Sequence, residues 1–209
     1  MKPRLLLHHG WALDRTLWTA VLAVLGEDAR DALVIDEGYY GQPIAASADG
    51  PLLGVGHSLG ALELLAAPDS TLVGVVAIDG FACFGQADDF PEGVPARVLA
   101  RMRKRVADGA LAEFLQRAGG VVPEGAPNIG LLQQGLERLE TLDGRGCPLS
   151  IWRLQSQGDP IATLAMSDAS FAGANVMERR LRPSTDHLSP IHDPDACADL
   201  IRTALKALS

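Results

Sequence analysis

The chain has little cysteine, little aromatic content and no surplus of positive charge. Its three cysteines in 209 residues, Cys83, Cys147 and Cys197, are far apart and form no CxxC pair, which argues against a disulfide scaffold and a thiolate zinc site. Aromatic residues make up 5% of the sequence, and 18 Lys and Arg stand against 26 Asp and Glu, a net charge of −8. Such a balance argues against a general nucleic-acid surface, because phosphate binding depends on a positive field. No apolar run approaches the roughly 18 residues of a membrane-spanning helix. Leu5-Leu6-Leu7, after Lys2 and Arg4, is too brief for the apolar region of a signal peptide, so a cytoplasmic location is expected, with no membrane partner. Five histidines are present, yet none falls in HExxH or similar helical spacing, so no metal is expected. Internal repeats, low-complexity tracts and flexible linkers are absent as well.

What remains is a composition of 47% hydrophobic and 21% charged residues, ordinary for a soluble globular chain long enough for one large domain or a core with an insertion. Apolar runs recur at Arg4–His8, Ala32–Ile35, Leu52–Gly56, Leu72–Ile78, Leu149–Leu154 and Val176–Arg180. They are continuous rather than alternating, as parallel strands covered on both faces require. Helical patterns follow several of them: after the cap candidate Asp14, over Leu59–Ala67, and over Pro194–Leu208 with Asp193 as cap. The alternation breaks at 81–146, where Pro95–Ala107, Gly109–Arg117 and Asn128–Glu140 read as short helices with no strand among them. The expected architecture is an α/β core of about six mainly parallel strands, built from 1–80 and 147–209, with 81–146 inserted as a helical lid over the carboxyl ends of the sheet.

The segment Leu52–Leu65 contains Gly56-His57-Ser58-Leu59-Gly60 between an apolar strand and a Leu/Ala-rich helix. An isolated G-x-S-x-G is weak evidence, but the strand–turn–helix setting is what a nucleophile elbow needs. The serine takes a strained backbone conformation, and Gly56 and Gly60 remove side chains that would collide. Ser58 Oγ then stands at a helix N-terminus, where the dipole and free N–H groups favour developing negative charge. A serine hydroxyl needs a base, and the base needs an orienting carboxylate; on such a scaffold the chain order is Ser, acid, His. Asp159, in the loop after the fifth strand, is the acid candidate, with Asp168 in reserve within or after the next helix. His187, near the end of the sixth strand, is favoured as base over His192, which adjoins the cap of the last helix. The oxyanion donors expected are the N–H groups of Leu59 and of Trp11, the latter in the His9-Gly10-Trp11 turn after the first strand. Two readings fit the Trp11 ring: a wall of an acyl pocket, or core packing.

The His-Gly-Trp start, Gly-x-Ser-Leu-Gly, the phrase Gly135-Leu136-Glu137-Arg138-Leu139-Glu140-Thr141-Leu142-Asp143, Asp159, and His187 followed by Pro190 and Pro194 resemble the α/β-hydrolase superfamily. Within it the chain is most similar to the pimeloyl-[acyl-carrier-protein] methyl ester carboxylesterases of biotin synthesis. The pattern departs from the family in being shortened: it begins at what would be the third strand, and Ile35 to Leu52 leaves no room for the customary helix, so a minimal sheet with an exposed flank is expected. The resemblance implies a cofactor-free serine carboxylesterase acting on an ester carried by an acidic acyl-carrier protein. Alternatives are a general short-chain carboxylesterase or thioesterase, and a non-catalytic binding member of the fold. Arg97, Arg101, Arg103, Lys104 and Arg105 form a basic run, with Arg97, Arg101 and Arg105 on one helical face. It reads either as a dock for an acidic helix or phosphate, or as a solvated surface that keeps a lid soluble.

Overall fold

The six apolar runs form one sheet in a computed structural model that describes residues 2–209. The strands are β1 (Arg4–His8), β2 (Leu33–Ile35), β3 (Leu52–His57), β4 (Leu72–Ile78), β5 (Ser150–Ser156) and β6 (Val176–Arg182), in the order β2-β1-β3-β4-β5-β6. Every pairing is parallel, so the sheet is wholly rather than mainly parallel. Successive side chains point to opposite faces, and both faces are covered. On one side, Leu5, Leu7, Leu53, Val55, Val76 and Ile78 pack with α1 (Thr19–Leu25), α8 (Pro194–Ala207) and the excursion between β4 and β5. On the other, Leu6, Leu52 and Val75 pack with Ala61, Leu64 and Leu65 of α2 (Leu59–Ala66) and with Phe171, which follows α6 (Leu164–Ser170).

The register places the site. His8 pairs with Gly56, His57 with Ile78, Ile78 with Leu154, and Ser156 with Arg182, so the carboxyl ends of five strands share one rim. Loops leaving that rim carry Gly10, Ser58, Asp79, Asp159 and His187. The excursion holds α3 (Ala96–Arg105), α4 (Ala110–Ala118) and α5 (Ile129–Thr141), within two residues of the expected helices and without a strand. No helix joins β2 to β3; an antiparallel bridge between Asp36 and Ile44 closes that loop instead. α7 (Ser189–His192) is a single turn ahead of α8, whose first turn is capped by the Asp193 carboxylate accepting from Ala196 N–H. All three cysteines are free and buried. Among the described residues, no helix is long and apolar enough to cross a membrane.

Candidate active site

β3 ends in a sharp reversal: Ser58 has φ +54° and is immediately followed by α2, so its side chain projects at the first turn of that helix. The two flanking glycines are required by close approach. A methyl group on Gly56 would overlap the Ala61 backbone, and one on Gly60 would overlap the His8 carbonyl oxygen. The turn after β1 comes equally close, since a methyl group on Gly10 would stand 2.8 Å from Ser58 Cβ and 2.7 Å from His57 Nδ1. That brings the Gly10 backbone against the serine. Leu59 N–H lies among the first N–H groups of α2, which have no intrahelical acceptor.

Ser58, His187 and Asp159 form one hydrogen-bonded chain. Ser58 Oγ stands 2.8 Å from His187 Nε2, and His187 Nδ1 stands 2.6 Å from Asp159 Oδ2. A carboxylate only accepts, so Nδ1 carries the proton and Nε2 is free to accept from the serine hydroxyl. Asp159 is itself fixed: Oδ1 accepts from Ile161 N–H at 2.8 Å and Ala162 N–H at 2.9 Å, and Oδ2 from Gln155 Nε2 at 3.0 Å. Ser58 is 5% exposed and His187 1%. Burial alone pushes the His187 imidazole down, but the charge and hydrogen bond of Asp159, with further pull from Asp79 and Asp186, leave it above its ordinary value. His57 lies alongside His187, with ring centroids 4.9 Å apart, and its Nε2–H donates to the His187 carbonyl at 2.7 Å. Burial, and then the neighbouring imidazole, push His57 down to about 3, so it stays neutral.

The reserve candidates lie elsewhere. Asp168, on α6, pairs with Arg153 and Arg179, and His192 ends α7, where its backbone N–H bonds the Leu188 carbonyl. The Trp11 ring is packed in the core and also faces a cavity. It is buried, donates Nε1–H to the Leu132 carbonyl at 2.7 Å, stacks edge-on against Phe114, and also lines a cavity of about 380 Å³. Leu99 and Met102 of α3, Phe114 of α4, Leu136 and Leu139 of α5, and Ile161 near Asp159 contribute to its apolar wall. Arg101, Arg105 and Arg117 also line this cavity. Of the basic run, Arg103 pairs with Glu140 at 2.7 Å and Arg105 with Glu113 at 2.9 Å. Among the described residues no ion pair engages Arg97, Arg101 or Lys104.

Two groupings were not singled out in the sequence. One is Asp79 at the end of β4, an acid directly after an apolar strand and therefore on the same rim as the serine. The other joins four elements: His8 Nε2 lies 2.9 Å from Glu37 Oε1 and 3.1 Å from Glu63 Oε2, while Arg138 reaches Glu37 Oε2 at 2.6 Å and Glu63 Oε1 at 2.5 Å. His8, Glu37 and Glu63 are the one group among the described residues close enough to share a metal ion, and the Arg138 guanidinium lies against both acids. Burial pulls Glu37 up, but hydrogen bonds from His8 and Arg138 outweigh it and hold it at about 2. Glu63 is within ion-pair range of Arg138 but misaligned for a hydrogen bond. Burial, only partly offset by Arg138 and reinforced by Glu37, pushes it up to about 8. The sequence signal was a lone acid, Glu63, in an otherwise apolar helix.

No protein-family model and no curated protein matches the sequence. Solved structures do. An esterase from Exiguobacterium antarcticum aligns with TM-score 0.77 at 14% identity, covering 98% of this chain and 92% of that one. An enol-lactonase from Burkholderia xenovorans aligns with TM-score 0.73 at 18% identity over 99% and 92%. A thermophilic esterase from Thermogutta terrifontis gives 0.72 at 19% identity over 98% and 90%. At these identities the likeness is one of fold, and over nearly its full length the chain has the α/β-hydrolase fold.

Proposed function

We propose that the protein is a serine carboxylesterase, and the observation that carries this reading is the buried chain from Asp159 through His187 to the strained Ser58. Ser58 Oγ attacks the ester carbonyl as its proton passes to His187 Nε2. Asp159 holds the imidazole in the required tautomer and stabilises the imidazolium. The N–H groups of Leu59 and Trp11 receive the charge on the carbonyl oxygen. The leaving alcohol takes the proton from His187, and a water, deprotonated by the same nitrogen, releases the acid and restores the serine. These steps use only groups of the chain.

The finer reading is hydrolysis of the methyl ester of pimeloyl-acyl-carrier protein, with 81–146 as a lid. An apolar cavity whose rim carries Arg101, next to the exposed Arg97 and Lys104, supports it: an acyl chain would lie in the cavity and an acidic carrier on the basic face. A fluorophosphonate probe tests the chemistry. Stoichiometric labelling and hydrolysis of p-nitrophenyl acetate by the wild-type chain, both lost in Ser58→Ala, are expected; labelling that survives in Ser58→Ala refutes the assignment. Comparing carrier-bound with free methyl esters tests the substrate, since a general short-chain esterase or thioesterase turns over the free ester as well or better.

A further inference from the structure

Only three non-glycine residues among those described have positive φ: Ala12, Ser58 and Asp79. Backbone strain of this kind persists where the surroundings over-determine it, typically at functional sites. Ser58 is the proposed nucleophile, and Ala12 follows the proposed oxyanion donor Trp11. Asp79, with φ +44°, has no part in the steps above, yet it is fully buried and is bonded on every side.

Its N–H donates to the Leu154 carbonyl at 2.8 Å. Its Oδ1 accepts from the backbone N–H and the hydroxyl of Ser156, both at 3.0 Å, and its Oδ2 accepts from Ser189 N–H at 2.8 Å. Ser156 closes β5 three residues before Asp159, and Ser189 lies two residues after His187. Arg182 Nη2 donates to Ser156 Oγ at 3.0 Å, so the Ser156 proton is directed to Asp79. One carboxylate therefore fastens the loop that carries the acid to the loop that carries the base. A glycine would adopt this φ without strain but would supply no such joint.

We propose that Asp79 is a positioning residue for the reaction: it locks the Asp159 and His187 loops in register and fixes its carboxylate to the loop of the base, two residues from His187. The inference rests on the carboxylesterase reading. The groups facing His187 are Asp159 from the β5 loop, Asp79 from the end of β4, Asp186 from its own loop, His57 from the end of β3 and Ser58. α4 offers only the Ala118 carbonyl, which accepts from His187 N–H at 2.8 Å. Asp186 is committed to Arg182 at the end of β6, whereas among the described residues no ion pair engages Asp79.

Two variants test it. Asp79→Asn keeps the shape and removes the charge, and Asp79→Gly also relieves the backbone. The pH profile of kcat/KM for p-nitrophenyl acetate, kcat and KM separately, and a thermal melt are measured for each. The expected result is a folded variant whose acid limb lies at lower pH than the wild-type limb, by about half a pH unit or more, with kcat down about tenfold or more and KM within about twofold. A folded variant with wild-type kcat and limb overturns the proposal. So does a fall in kcat with an unmoved limb, or failure of both variants to fold, because each leaves a purely structural role. If the wild-type chain neither hydrolyses the ester nor takes the fluorophosphonate, the carboxylesterase reading is what has failed.

Discussion

Replacing Glu63 with glutamine should make the protein more stable in mild alkali. Glu63 sits on the first helix after the serine, faces Glu37 and His8, and shares Arg138 with Glu37. Its folded value of about 8, against an ordinary 4.5, means that between those two pH values the folded chain holds a proton the unfolded chain has released. Stability from this group is therefore full below pH ~4.5 and lost as pH rises through ~8, at about 1.4 kcal/mol per pH unit, or about 4 to 5 kcal/mol in all. Glutamine occupies the same volume without a proton to lose. Near pH 5 the two chains should melt together. By pH 9 Glu63→Gln should be the more stable by most of that amount, roughly 10 °C in melting temperature for a chain of this size. Glu37, held at about 2, loses its contribution only as pH falls below ~4.5, and His187, raised above 6.5, loses its own as pH rises through its folded value. Both terms are common to the two chains and cancel in the difference. The assay is a set of thermal melts from pH 5 to 9. Parallel curves, or a Glu63→Gln variant less stable than the wild-type chain at pH 9, would refute the reasoning and show Glu63 ionised and paired with Arg138.

The activity should have an acid limb above pH 6.5, because His187 must be neutral to accept the serine proton and Asp159 and its neighbours hold the imidazolium past its ordinary value; a limb below 6 in the kcat/KM profile contradicts the geometry. Reversing Arg97 and Arg101 to glutamate should weaken turnover of a carrier-linked ester about tenfold or more while small esters are hydrolysed as before; equal loss on both defeats the docking idea. Arg138→Leu should cost about 1 to 3 kcal/mol in a urea titration at neutral pH, since it leaves the partly buried Glu37 carboxylate without its guanidinium.

The sheet and its helices were legible because their signals are local. β3 and β4 read as unbroken apolar runs since each strand is buried on both faces, and α8 declared itself through Asp193 and Pro194 at its start. The elbow was legible for the same reason: two glycines, a serine and a strand-to-helix switch fall within a few residues. Asp159 and His187 needed one more fact, the order of loops along the chain, and the structure brings both to Ser58, while Asp168 and His192 stand apart.

What stayed hidden depends on long-range partners. Asp79 meets Ser156 and Ser189, 77 and 110 residues away, and Arg138 meets Glu37 across 101 residues. No spacing rule joins such positions, and each residue taken singly reads as a turn acid or a solvated charge. Local propensity even points away from Asp79, because a backbone with φ +44° favours glycine. That conflict is itself informative. Sequences agree with their folds at most positions, and the positions where a residue is held against its preference are those the surroundings pin in place. Ser58 is such a position by virtue of a motif. Asp79 is another that no motif marks, and it bonds the two strand-end loops that carry Asp159 and His187, so the strained backbone marks more of that rim than the motif does.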